Sequence, residues 1–280
     1  MKRILSIDWD YFINATAVQR GLLFPDGGNE NISYTLQDFI WNSHYSSPAS
    51  AELRNIGILA IEYNTIHNIL RKFIDKYLYS NVANPHREVL VTVSHRWIYD
   101  FIIKRTKKNE EFEVYNVDFH HDMYNLKTKD QEVNCGNWVN CLFEKRHRMN
   151  YYWVAREDSE RKVLGGEPVE CKSIDLRDLE NLDFDYVFIC RSDCWSPPHL
   201  DTYFETLWAF IYRYMPVEIE HKVSKCRKYA PLTEVEEAYA REIALAKSME
   251  KYPNATCANC GAIIPEGSSS FFCDKCNKGE

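Results

Sequence analysis

The sequence predicts an α/β fold: a three-layer sandwich with a mainly parallel sheet, followed by a small C-terminal zinc ribbon. Three observations carry that reading. Short apolar runs rich in β-branched residues alternate with stretches of helical periodicity, the pattern of a parallel sheet covered on both faces. Several of those runs end in Asp or lead directly to His, and such sheets gather ligands at the carboxyl ends of their strands. Two C-x-x-C pairs lie near the end of the chain.

The elements follow in order. Residues 3–7 read as a buried strand, Arg-Ile-Leu-Ser-Ile, ending in Asp8. Residues 14–50 hold Gly, Pro, Asn and Ser clusters and read as a long loop region with room for one short helix. Residues 52–79 place Leu53, Ile56, Leu59, Ile61, Ile66, Ile69, Leu70, Phe73 and Ile74 at helical spacing. Residues 88–93 form a second strand, and a helix follows from Trp97. Residues 113–117 form a third, running into Asp118. Residues 134–146 read as a helix, 151–155 and 170–174 as strands, and 185–190 as a strongly apolar strand ending in Arg191-Ser192-Asp193. A helix over 199–214 and a charged, Ala/Glu-rich helix over 233–251 complete the reading. The domain division is a main domain over 1–230, a bridging helix over 231–252 and a ribbon over 253–280.

Composition bounds the function classes. A chain of 280 residues, 45% hydrophobic and 14% aromatic, buries a sizeable core and is not a disordered segment. A net charge of −7 with no Lys/Arg block leaves no electrostatic footprint for nucleic acid. Asp8 and Asp10 interrupt the N-terminal apolar run, so no secretory segment is expected. No stretch of about 18 apolar residues is present, so no membrane span is expected. Cys135, Cys141, Cys171, Cys190, Cys194 and Cys226 are scattered, as reduced thiols are, and the expected location is cytoplasmic.

The chemistry concentrates in three motifs: Ser6-Ile7-Asp8-Trp9-Asp10, Ser94-His95-Arg96 and Asp118-Phe119-His120-His121-Asp122. Alternate residues of an extended chain point the same way, so Asp118, His120 and Asp122 can converge, as can Asp8 and Asp10. Four carboxylates and two imidazoles form a hard O/N donor set suited to a pair of divalent ions such as Mn²⁺. Asp118 and Asp8 are the candidates for a carboxylate shared between them. Each residue also has a plainer reading: Asp8 and Asp10 as a solvated strand end, and His95 as a satisfied polar residue. In the tail, twelve residues separate the pair Cys257 and Cys260 from the pair Cys273 and Cys276. Two such knuckles make a closed, structural Zn²⁺ site.

On these residues the chain resembles the arginase/deacetylase fold, the ureohydrolase group, over roughly residues 1–215. Members carry a metal-ligating His in a Gly-Gly-Asp-His-like turn, a D-A-H-x-D motif and a strand ending in S-x-D-x-D. This sequence matches at His95, at Asp118, His120 and Asp122, and at Ser6, Asp8 and Asp10. It departs where Thr92-Val93-Ser94 replaces Gly-Gly-Asp, and where the D-x-D strand comes first, as in a circular permutation. It is also similar to arginase-like proteins that include peptide arginases. The resemblance implies a catalytic main domain with two Mn²⁺ at the six-residue site. It implies hydrolysis of arginine side chains within a peptide to ornithine, with release of urea. It offers Asp193 as the carboxylate that pairs with the guanidinium, with helix capping as its alternative. His121 is the proton-transfer candidate, against a packing role. Trp138 and Trp195 would line a channel for the arginine stem, against simple core packing. A deacetylase or amidohydrolase on the same fold, or a non-catalytic metal-bound scaffold, are the competing readings.

Overall fold

The computed structural model describes residues 1–25, 34–47, 50–79, 88–124, 132–162, 168–220, 223 and 227. The bridging helix at 231–252 and the four tail cysteines lie outside the described residues.

Seven strands form one all-parallel sheet: β1 (Lys2–Asp8), β2 (Glu88–Thr92), β3 (Phe112–Val117), β4 (Met149–Val154), β5 (Lys172–Ser173), β6 (Tyr186–Cys190) and β7 (Glu218–Ile219), in the order β5-β4-β3-β1-β6-β2-β7. A parallel sheet is buried on both faces, and its inner strands are correspondingly apolar along their length. β3 and β6 are buried at every residue.

The pleat then sorts side chains by face. On one face Leu5, Ile7, Val89, Val91, Val117, Val187 and Ile189 pack with residues of α4 (Ala60–Tyr79) and α7 (Asp201–Tyr212). On the other, Ile4, Phe112, Val114, Phe188 and Cys190 pack with residues of α5 (Trp97–Arg105) and α6 (Trp138–Lys145). Burying each such side chain stabilises the fold by roughly 1.5–3 kcal/mol. Ser6 and Asp8 continue the Ile4 row, and Asn116 and Asp118 continue the row of Phe112 and Val114. The same alternation that builds the second core therefore delivers the polar residues to its upper end.

The helical reading of 52–79 needs division. α3 (Ser50–Asn55) and α4 are separate, because the chain between them pairs with the N-terminal segment. Ile58 bridges Ile13, Asn14 N–H donates to the Gly57 carbonyl at 2.9 Å, and Leu59 N–H to that of Phe12 at 2.8 Å. The segment read as mostly loop holds α1 (Ala17–Leu23), α2 (Tyr34–Ser46) and the start of α3. α2 forms because Leu36, Trp41 and Tyr45 find burial on the main core, which outweighs a sequence of modest helix propensity. The helix expected from 134 begins at Trp138; residues before it turn back, with Asn134 N–H donating to Asn137 Oδ1 at 2.8 Å. Among the described residues no helix is long and apolar enough to cross a membrane.

Candidate metal centre

The carboxyl ends of β1, β2, β3 and β6 meet on the face covered by α5 and α6, and the six singled-out side chains converge there. His95 follows β2 and its ring lies parallel to Phe188, 5.7 Å between centroids. Its Nε2 is 2.8 Å from Ser6 Oγ. Its Nδ1 stands 3.1 Å from each of three carboxylate oxygens, Asp8 Oδ2, Asp118 Oδ2 and Asp122 Oδ2. One nitrogen cannot donate to three acceptors, and no hydrogen bond with proper geometry forms there. A buried polar atom so placed calls for an explanation. Donors about 2.1–2.2 Å from an octahedral ion lie about 3.0–3.1 Å apart along the polyhedron edges. The three Nδ1–oxygen separations match that edge length, and Asp8, His95 and Asp118 form one metal-capable group.

A second group adjoins the first. His120 Nδ1 is 3.1 Å from Asp10 Oδ2 and 3.8 Å from Asp118 Oδ1. Asp118 belongs to both metal-capable groups and turns one oxygen to each. Asp8, the other candidate for sharing, belongs to the first group alone. These buried Asp and His residues can hold a metal ion. All are buried except His120, which is 22% exposed on its side chain and so marks the open edge.

Electrostatics show how tightly like charges are gathered. Burial, then Asp10 and Asp118, push Asp8 up to about 6, and burial, then Asp122, push Asp118 up to about 7. Burial would also raise Asp10, but His120 and Arg20 outweigh it and hold that carboxyl below its ordinary value. His95 is driven well above its usual range; burial opposes this, and Asp122, Asp118 and Asp8 win. His120 rises to about 9 against burial, chiefly through Asp10.

Each of the four carboxylates has a supporting partner, as metal ligands do. Trp138 Nε1 donates to Asp122 Oδ2 at 2.6 Å. Ser192 Oγ donates to Asp8 Oδ2 at 2.8 Å. Asn116 Nδ2 donates to Asp118 Oδ2 at 3.2 Å, and His120 N–H to Oδ1 at 2.8 Å. Arg20, fully enclosed, reaches Asp10 Oδ2 at 3.4 Å and its carbonyl at 2.8 Å, with Phe119 stacked on the guanidinium. Asp122 and Ser192 adopt φ of 55° and 54°, the described non-glycine residues in the left-handed region. Strain of this kind, costing on the order of 1–3 kcal/mol each, collects at functional sites.

Three expectations meet a different geometry. Asp193 does not cap α7, and its carboxylate does not face outward: Arg191 takes both oxygens, Nε to Oδ1 at 2.6 Å and Nη2 to Oδ2 at 3.1 Å. A substrate guanidinium would have to displace the protein's own. His121 has no free nitrogen: Nε2 lies 3.0 Å from the Lys162 carbonyl and Nδ1 accepts from Met123 N–H at 2.9 Å. This is the packing role, and burial lowers its pKa. Trp138 is entirely buried and steadies Asp122, so it is not positioned as a channel wall. Trp195 is half-buried with its ring 4.7 Å from that of His120, at the open edge. Sequence reasoning passed over Ser192, Arg20 and Tyr124. Tyr124 packs on His121 at 4.1 Å, and a Cβ on Gly136 would come within 3.1 Å of its ring.

Compared with protein-family models, curated proteins and solved structures, the chain matches none. The reading of the site therefore rests on its own chemistry.

Proposed function

We propose that this protein is a dinuclear metallohydrolase that converts arginine side chains within a peptide to ornithine, releasing urea. The observation that supports it most is His95 Nδ1 equidistant from three carboxylate oxygens, with Asp118 shared by an adjoining His/Asp group. The donor set is oxygen and imidazole nitrogen without thiolate, which suits Mn²⁺. A pair of such ions, when bound, supplies Lewis acidity and a water activated at neutral pH.

The protein's own part is positioning. Ser6 Oγ stands 2.8 Å from His95 Nε2, and accepting a hydrogen bond from an Nε2–H would leave Nδ1 free for a ligand role. Trp138, Ser192, Asn116 and Arg20 hold the four carboxylates against their mutual repulsion. The buried floor keeps water to the side where His120 and Trp195 open, and there a substrate would enter. The arginine assignment draws on the sequence resemblance and on that hard two-ion donor set. With Asp193 engaged by Arg191, the guanidinium would have to meet another acceptor.

The test is to incubate Mn²⁺-loaded protein with Arg-containing peptides and follow the arginine-to-ornithine mass loss and urea. Ornithine within the peptide supports the full reading. Urea from free arginine or agmatine alone removes the peptide claim, and release of acetate from acetyl-lysine peptides would favour the deacetylase.

A further inference from the structure

Directly behind the cluster lies a buried quartet of charges that the reaction itself does not need. Arg191, Asp193, Asp201 and Arg227 have side chains no more than 7% exposed. Arg191 grips Asp193 bidentately and lies 3.6 Å from Asp201. Arg227, from the arm that follows β7, pairs with Asp201 and donates to the Asp193 carbonyl at 2.7 Å. The same arm offers the Val223 carbonyl to Arg191 Nη1 at 3.3 Å. Two positive and two negative groups balance, which a buried ionic group requires.

The quartet brackets Ser192. Its neighbours on both sides are pinned: Arg191 N–H donates to the Thr92 carbonyl at 2.9 Å, and Asp193 N–H to that of Val93 at 3.3 Å. Trp41 Nε1 donates to the Asp193 carbonyl at 2.9 Å. Ser196 Oγ lies 2.6 Å from the Arg191 carbonyl and 3.0 Å from that of Ser192. So held, Ser192 keeps φ at 54°, and its hydroxyl ends 2.8 Å from Asp8 Oδ2, the oxygen that faces His95.

We propose that Ser192 is a positioning residue for the first metal-binding group, and that Arg227 acts through it by locking the strained turn from the C-terminal arm. The quartet offsets the strain, and the strain aims the hydroxyl. This rests on the two-ion reading above, and its failure is distinguishable from a failure of that reading.

The experiment titrates the full chain with Mn²⁺ alone, by competition with a fluorescent chelator, and records urea melts in parallel. The variants are Ser192→Ala, Ser192→Gly, Arg227→Gln and the double variant Ser192→Ala/Arg227→Gln. Loss of a group that supports a ligand costs roughly 10–100-fold in metal affinity. Ser192→Ala should therefore weaken the tighter ion by that factor while the melt stays put. Ser192→Gly should lose the same affinity although it relieves the backbone. Arg227→Gln should weaken the ion in the wild-type background and add nothing once the hydroxyl is gone. Unchanged Mn²⁺ affinity in both Ser192 variants, or wild-type affinity restored by glycine alone, overturns the proposal. So does an Arg227→Gln loss of equal size with and without Ser192. If Arg227→Gln does not fold, the alanine and glycine pair decides. Wild-type protein that takes up no Mn²⁺ overturns the two-ion reading along with this one.

Discussion

Replacing Asp118 with asparagine should stabilise the metal-free protein and abolish its response to metal. Asp118 is buried with Asp8, Asp10 and Asp122, and its pKa rises from 3.8 to about 7, through burial first and Asp122 second. At 1.36 kcal/mol per pH unit, ionising it above pH 7 costs up to about 4 kcal/mol. The asparagine would keep an acceptor for the His120 amide but lose charge-assisted bonds, worth about 1.5–3 kcal/mol. The net gain expected for Asp118→Asn is on the order of 1–2 kcal/mol at pH 8. The sign is set by the folded pKa lying above the unfolded one. The wild type's favourable contribution is complete below 3.8 and lost as pH rises through about 7, so the variant's advantage should vanish by about pH 4. Saturating Mn²⁺ should reverse the order, because an ion at 100 times its Kd stabilises the wild type by about 2.7 kcal/mol and the variant lacks the shared carboxylate. Urea melts at pH 8 and pH 4, with chelator and with Mn²⁺, read all four terms. A variant less stable than wild type without metal at pH 8, or one that keeps the full Mn²⁺ stabilisation, would refute the reasoning.

Further outcomes follow from the same geometry. Two Mn²⁺ should bind with unequal affinity, the tighter among three carboxylates at His95 and the weaker beside Arg20; His120→Ala should remove the weaker ion alone, as counted by equilibrium dialysis. Trp138→Phe keeps the ring packing but strips the bond to Asp122, and should cost roughly 10–100-fold in Mn²⁺ affinity by competition titration. His199 is held neutral between Tyr45 and the Ile56 carbonyl, and burial lowers its pKa. Its folded pKa lies below the unfolded one, so its contribution is complete above about pH 6.5 and lost as pH falls from there; His199→Gln should flatten that acid limb in urea melts. Cys260→Ser should lower bound zinc by one equivalent in elemental analysis and leave Mn²⁺ uptake unchanged.

The centre was legible in the sequence because strand periodicity is local. Ser6 and Asp8, like Asn116 and Asp118, stand two apart and share a face whatever the rest of the chain does. Thr16 and Gln19 form a capping box that also announces α1, a signal available before the structure. What stayed hidden depends on partners far away in the chain. Nothing near Asp122 indicates that Trp138 holds it, and Ser192 meets Asp8 across nearly the whole main domain. Asp193 shows the limit differently. Arg191 stands two residues before it at a strand end, the spacing that joined the ligands, and the same rule applied to opposite charges gives an internal pair.

The sheet order has a consequence for how the protein is made. β6 lies between β1 and β2, with Ile4 opposite Tyr186 and Glu88 opposite that same residue. During synthesis β1 emerges well before β6, its neighbour on that side, with β2 to β5 made in between. Until then Asp8 and Asp10 cannot be buried together with His95, and the nascent chain is spared a dense knot of like charge. Pairing across such sequence distance closes slowly. A metal ion held there would thus be captured late, by a sheet whose central gap is filled by one of its last strands.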